Sequence, residues 1–197
     1  MKIYNEIPAF ILAGGKSTRM GQDKALLDLD GKPFIERIAS TLDKLFTTIT
    51  IITDQKEPYE FLKLHIQSDI IKESGPLGGI HAALVRSSAK HIFVISCDLP
   101  FVTAKLIERL ADKRFDADVI LPTDNKIAQP LCAVYSRASF PFVVKHLREK
   151  QYSVSRCLED MKTLTVSTYN TVNKFGFSVI NNINTPEDYE RMCKMKD

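Results

Sequence analysis

Short β-branched and aliphatic runs alternate along this chain with stretches of helical periodicity, and the alternation predicts an α/β domain with a mostly parallel sheet covered on both faces. Two further observations support that class. An apolar run over residues 9–13 stops at Gly14-Gly15, as a buried strand does when it meets a tight turn. A second buried run, residues 91–96, leads straight into Cys97-Asp98-Leu99-Pro100. At 197 residues the chain is long enough for one sizeable core, and it shows neither internal repeat nor linker, so residues 1–197 read as a single domain.

The elements follow in order. Residues 25–29 form a short extended piece closed by an Asp30-Gly31 turn. Pro33 opens a helix reaching about Leu45, with Phe34, Ile35, Ile38, Leu42 and Leu45 at helical spacing. Residues 48–53 are β-branched throughout and predict a buried strand. Residues 57–66 suit a helix and 70–71 a short strand, followed by a glycine-rich loop over 73–80 and a helix over 81–87. After the strand at 91–96, Thr103 is a fair N-cap for the next helix, and a strand covers 117–121. Further on, 129–135 and 164–167 read as strands, and 139–150 and 153–161 as helices. Thr185 caps a final helix with Pro186 at its first position.

Composition excludes several classes. A net charge of +3, from 27 basic and 24 acidic residues, is too mild for a nucleic-acid-binding surface and suits a local cationic pocket instead. No apolar run approaches a membrane span, and the first residues do not resemble a signal peptide. Cys97, Cys132, Cys157 and Cys193 form no C-x-x-C pair, which argues against zinc or a disulfide framework and for reduced thiols in the cytoplasm. His65, His81, His91 and His146 have no ligand spacing, and no Ser–His–Asp order recommends a hydrolytic triad.

The chemistry concentrates after the first strand. Glycines there let backbone N–H groups approach a ligand, and Lys16, Arg19 and Lys24 flank Ser17 and Thr18, a cradle suited to a polyphosphate. The P-loop spacing fails because Phe10 stands where its first glycine is needed, and G-x-G-x-x-G is not met by Gly14, Gly15 and Gly21. In parallel sheets ligands gather beyond the carboxyl ends of the strands, where both the glycine loop and Asp98 belong. A carboxylate directly after a buried strand either caps the following turn or meets a cation, and Mg²⁺ prefers such oxygen ligands together with phosphate.

Leu12-Ala-Gly-Gly-Lys-Ser-Thr-Arg-Met-Gly-Gln-Asp-Lys24 resembles the signature L-A-G-G-x-S-x-R-M-G-x-D-K of the molybdenum cofactor nucleotidyltransferases, nearest their guanylyltransferase branch. Residues 97–100 resemble that family's C-D-x-P metal motif, 73–79 its D-x-x-x-G-P-L-x-G stretch, and 181–187 its closing N-x-N-T-P-E. The resemblance implies a three-layer, Rossmann-like nucleotidyltransferase fold. It further implies transfer of GMP from GTP to a molybdopterin-type molybdenum cofactor, with Mg²⁺ held by Asp98 and pyrophosphate released. Arg19, Lys24 and Asp98 are then the catalytic set. Leu12, Ala13, Gly14, Gly15, Lys24, Thr53, Glu73, Gly78 and Asp98 would contact the nucleotide, and Gln129, Asn182 and Asn184 would lie near the metal or the acceptor. Asn184 has an open second role in turn and cap chemistry beside Thr185. The implied protein is a monomer without nucleic acid or membrane partners, in transient contact at most with other cofactor-biosynthesis or molybdoenzyme-maturation proteins. A cytidylyltransferase of the same cofactor, another nucleotidyltransferase, or a nucleotide-binding accessory protein without turnover are the alternatives.

Overall fold

In the computed structural model, which describes residues 2–14, 23–124, 127–168 and 178–194, each strand divides its side chains between two cores. Ile11, Ile51, Phe93 and Ile95 point to one face and Phe10, Leu12, Ile92 and Val94 to the other. Both faces must therefore be covered, and a burial of roughly 1.5–3 kcal/mol per large aliphatic side chain drives helices onto each.

The elements are β1 (Ala9–Leu12), β2 (Asp28–Leu29), β3 (Lys32–Pro33), α1 (Phe34–Leu42), β4 (Ile49–Ile52), β5 (His65–Gln67), α2 (Gly75–Arg86) and β6 (His91–Ser96). They continue with α3 (Ala104–Asp112), β7 (Val119–Asp124), β8 (Ile127–Ala128), β9 (Cys132–Ser136), α4 (Phe140–Arg148), α5 (Val154–Glu159), β10 (Thr163–Ser167) and α6 (Pro186–Lys194). Ile35, Ile38 and Leu42 of α1 and Leu106, Ile107 and Leu110 of α3 fill the first core. Ile80, Ala83 and Leu84 of α2, Val143 and Leu147 of α4, and Val154 and Cys157 of α5 fill the second. The result is the three-layer α/β sandwich expected from the pattern.

Sheet order is β10-β7-β9-β6-β1-β4-β5, with β8 paired to β7 and a separate β2–β3 hairpin. β1 lies between β4 and β6 in parallel register, Leu12 facing Ile52 and Ser96. One strand of the main path is reversed: β9 runs antiparallel to both β6 and β7. Periodicity of single strands does not encode their direction, so this reversal was not foreseen.

Several expectations are corrected. Residues 57–62 form a 3-10 turn and not the start of a longer helix, because Lys63 turns left-handed at φ 54° and ends it. The neighbouring strand is β5 at His65–Gln67, paired with β4, and residues 70–71 are not a strand. Helix α2 begins at Gly75, so the predicted loop over 73–80 is mostly its first turns, with Pro76 fixing the entry backbone. Thr103 and Thr185 are caps as read. The Thr103 hydroxyl accepts from Leu106 N at 3.3 Å. Thr185 and Asp188 cap each other reciprocally at 3.1 and 3.0 Å. Among the described residues no helix is long and apolar enough to cross a membrane.

A third, small cluster joins Leu27, Leu29, Phe34, Phe101 and Ile183, with Tyr189 of α6 packed against it. The Tyr189 hydroxyl donates to the Asp28 carbonyl at 2.9 Å. This cluster draws the segment after Lys24, the segment after Asp98 and the C-terminal segment onto the carboxyl edge of the sheet.

Candidate active site

Strand register places the site. Leu12 and Ser96 are partners, so Gly14 and Asp98, each two residues further on, leave the sheet side by side. Cys97 N donates to Leu12 O at 3.1 Å and Ala13 N to Ile52 O at 3.0 Å, which locks the last turn of β1 between its neighbours. Leu12 and Ala13 are buried, and their side chains are core rather than ligand-facing. Gly14 is exposed, and a Cβ built on it would meet nothing within 4 Å. Open space over Gly14 is compatible with close approach of a ligand to the backbone. Gly15, Lys16 and Arg19 lie outside the described residues.

Asp98 is held from several sides. Its own carbonyl accepts from Ile183 N at 3.1 Å, which pins the C-terminal segment against it. The inner carboxylate oxygen, Oδ1, is buried and has no hydrogen-bond partner. Burial pushes the Asp98 carboxyl above its ordinary range, opposed by the Ser96 hydroxyl and the charge of Lys24. An unpartnered buried carboxylate oxygen costs folding free energy and suits a bound cation. The donor set also fits Mg²⁺. Mg²⁺ takes one or two carboxylates and fills its shell with phosphate and water, which a single free Asp98 oxygen could serve.

Lys24 reaches across the edge. It opens a 3-10 turn, Lys24–Leu26, whose N-cap is Asp23, and its Nζ donates to Asn184 Oδ1 at 2.9 Å. The Asn184 side chain thus holds the lysine, while its backbone N donates to Asp188 Oδ2 at 3.1 Å and so joins Thr185 in the cap of α6. Asn182 Oδ1 accepts from Gln129 Nε2 at 2.6 Å, and Gln129 Oε1 accepts from Leu131 N at 3.2 Å. Gln129 precedes β9, but β9 is reversed, so the start of that strand lies on the same edge as the end of β6. Ser96 N indeed donates to Leu131 O at 2.8 Å.

The remaining sequence candidates are placed differently. Thr53 follows β4 on this edge, but its hydroxyl accepts from Gln55 N at 3.2 Å in a local turn. Glu73 is exposed at the left-handed residue (φ 56°) preceding the N-cap Ser74. Gly78 lies within α2, where a Cβ would fall 2.0 Å from the Ser74 hydroxyl, and one at Gly79 would fall 3.0 Å from Leu12 Cδ2. Both glycines thus let α2 pack closely.

One residue escaped the sequence reading. Asp69, two positions beyond β5, has a buried Oδ1 without a hydrogen-bond partner, and burial with the nearby Asp54 raises its pKa against the pull of Lys72. With the strand expected at 70–71, Asp69 fell before it. The actual strand, His65–Gln67, puts Asp69 on the ligand edge. A period-2 pattern over three residues is too short to have signalled this.

A mostly parallel sheet with Gly14, Lys24 and a buried, unpartnered Asp98 oxygen at its carboxyl edge has the layout of the three-layer α/β domains that bind ligands there. Residues 9–165 match the MobA-like NTP transferase domain, and the chain belongs to that family. It is 32% identical over 196 residues to a protein of Peptoclostridium acidaminophilum named "Probable molybdenum cofactor guanylyltransferase", covering 95% of this chain and 88% of that one. A protein of the same name from Carboxydothermus hydrogenoformans is 34% identical over 187 residues, 94% of either chain. Among solved structures, molybdopterin-guanine dinucleotide biosynthesis protein A from Archaeoglobus fulgidus superposes with a TM-score of 0.78. It is 24% identical, covers 100% of this chain and 98% of its own, and supports the fold.

Proposed function

We propose that this protein is a molybdenum cofactor guanylyltransferase. It transfers GMP from GTP to the terminal phosphate of a molybdopterin-type cofactor and releases pyrophosphate. The observation that carries this reading is the inner carboxylate oxygen of Asp98, buried and without a hydrogen-bond partner, at the strand end beside Gly14 and within the field of Lys24. The names of its relatives supply the substrates.

In the transfer, a phosphate oxygen of the acceptor bonds to the α-phosphorus of GTP while the bond from that phosphorus to the bridging oxygen breaks. The electron pair leaves with pyrophosphate, and no general base is needed because the acceptor phosphate is already ionised. The chain's task is to align two anions and cancel their repulsion. Lys24 meets the charge that builds on the departing β- and γ-phosphates, and Gly14 lets the backbone come close to them. Arg19 is assigned to the same phosphates from the sequence motif. Asp98 would hold Mg²⁺, which supplies Lewis-acid polarisation of the phosphoryl oxygens. Gln129 and Asn182, bonded to one another, face the acceptor side, and Asn184 keeps Lys24 extended across the edge.

Pyrophosphate release tests the proposal, measured with GTP, CTP, ATP or UTP, with and without molybdenum cofactor and Mg²⁺. Release with GTP that depends on both additions is expected. Release with CTP alone would make the protein the cytidylyltransferase, and nucleotide binding without release would make it an accessory protein.

A further inference from the structure

The proposed chemistry leaves unexplained a buried phenol that points into the Lys24 turn from another part of the chain. Tyr59 lies in the 3-10 turn Glu57–Leu62 after β4, and 2% of it is exposed. Its hydroxyl donates to Asp23 Oδ2. The other Asp23 oxygen, Oδ1, accepts from Ala25 N at 3.0 Å and caps the turn that Lys24 opens. Asp23 therefore uses one oxygen to shape the turn and the other to anchor it. From the far side, Lys24 Nζ reaches Asn184 Oδ1.

We propose that Tyr59 is a positioning residue for Lys24, acting through Asp23 to fix the lysine's turn against the sheet in the geometry that meets the triphosphate. This rests on the role of Lys24 proposed above. Three observations support it. A capped turn of three residues has too few hydrogen bonds of its own to hold a long lysine side chain's origin steady, so an outside anchor matters. The Asp23 side chain has two described partners, Ala25 N beside it and the Tyr59 hydroxyl from 36 residues away, so beyond the packing of the buried Ala25 this bond is the turn's described hydrogen-bonded tie to the core. The anchor is also constant: burial, reinforced by the bond to Asp23, raises the Tyr59 pKa far beyond any working pH, so the phenol remains a donor. A tyrosine whose ring alone was wanted for the core would be served by phenylalanine, whereas here the hydroxyl has a charged acceptor inside the protein.

The test is a cycle of Tyr59→Phe, Lys24→Ala and the double variant, reading the GTP dissociation constant by calorimetry, turnover by pyrophosphate release, and melting temperature. Tyr59→Phe keeps the ring and loses only the donor. It should weaken GTP binding and kcat/KM by about tenfold, the size of one charged hydrogen bond acting through geometry. In the Lys24→Ala background it should have no further effect, because its route to the substrate is gone. Tyr59→Phe without effect on GTP, or an equal loss in both backgrounds, overturns the proposal. Loss that tracks the melting temperature alone does so as well. If Lys24→Ala is itself indistinguishable from the parent, the role of Lys24 fails first and takes this inference with it.

Discussion

The two halves of the sheet handle the ligand edge by different rules. In the parallel half, β5-β4-β1-β6, the candidate residues follow their strands: Asp69 after β5, Gly14 after β1 and Asp98 after β6. In the mixed half, β9 runs backwards between β6 and β7, and the residue that reaches the edge, Gln129, comes before its strand. The first half places Lys24, the carboxylates and Gly14. The second half contributes an amide that ties down the C-terminal segment through Asn182. The charged candidates thus lie on the parallel side and the neutral Gln129–Asn182 pair on the reversed side. On the proposed reading the first set would meet the triphosphate and the second the acceptor.

The largest expected effect tests the charged side. Asp98→Asn should reduce turnover on the order of 10³-fold or more, since it removes the cation's anchor. Its melting temperature should stay level or rise, because a buried unpartnered carboxylate oxygen is exchanged for a neutral amide. Near-normal turnover would undo the comparison at its root. Lys24→Ala follows, with a loss of about 10²-fold read from pyrophosphate release. On the reversed side, Gln129→Ala and Asn182→Ala should each raise the acceptor KM by about tenfold while leaving the GTP KM nearly unchanged. Equal losses towards both substrates would erase the division of labour.

Two smaller effects sharpen it. Gly79→Ala places a Cβ 3.0 Å from Leu12 Cδ2, which must give by a few tenths of an ångström, while alanine gains about 1 kcal/mol of helix propensity over glycine. The two offset, so the melting temperature should move by only a few degrees, with little change in the KM for GTP. The Asp69 carboxyl is raised above its ordinary value of 3.8, so its ionisation weakens the fold as pH climbs through the raised value and leaves it untouched below the ordinary one. Asp69→Asn should therefore melt slightly higher than the parent near neutrality and indistinguishably from it at low pH, as thermal scans across pH would show.

Legibility differed along the chain for physical reasons. β1, β4 and β6 were readable because a strand buried on both faces is a continuous apolar run, and its carboxyl end locates Gly14 and Asp98 without other help. β5 was not, since an exposed edge strand of three residues has little apolar signal, and so Asp69 was overlooked while Glu73 was favoured. Gly78 looked like part of a ligand loop because glycine serves close ligand approach and close helix packing alike. Only the Ser74 hydroxyl beside it distinguishes them. Asp23 and Tyr59, 36 residues apart, share no pattern at all.

The sequence by itself determined the layered α/β class, the caps at Thr103 and Thr185, and the residues that supply charge, because these depend on local periodicity and on the chemistry of single side chains. Only the tertiary structure decided which way β9 runs, which carboxylates stay unpartnered, and that Lys24 is held between Tyr59 through Asp23 on one side and Asn184 on the other. Those outcomes depend on contacts between segments far apart in the chain. Packing around Leu27, Phe34, Phe101 and Ile183 draws the segments after Lys24 and Asp98 together with the C-terminal one, and no local pattern encodes it.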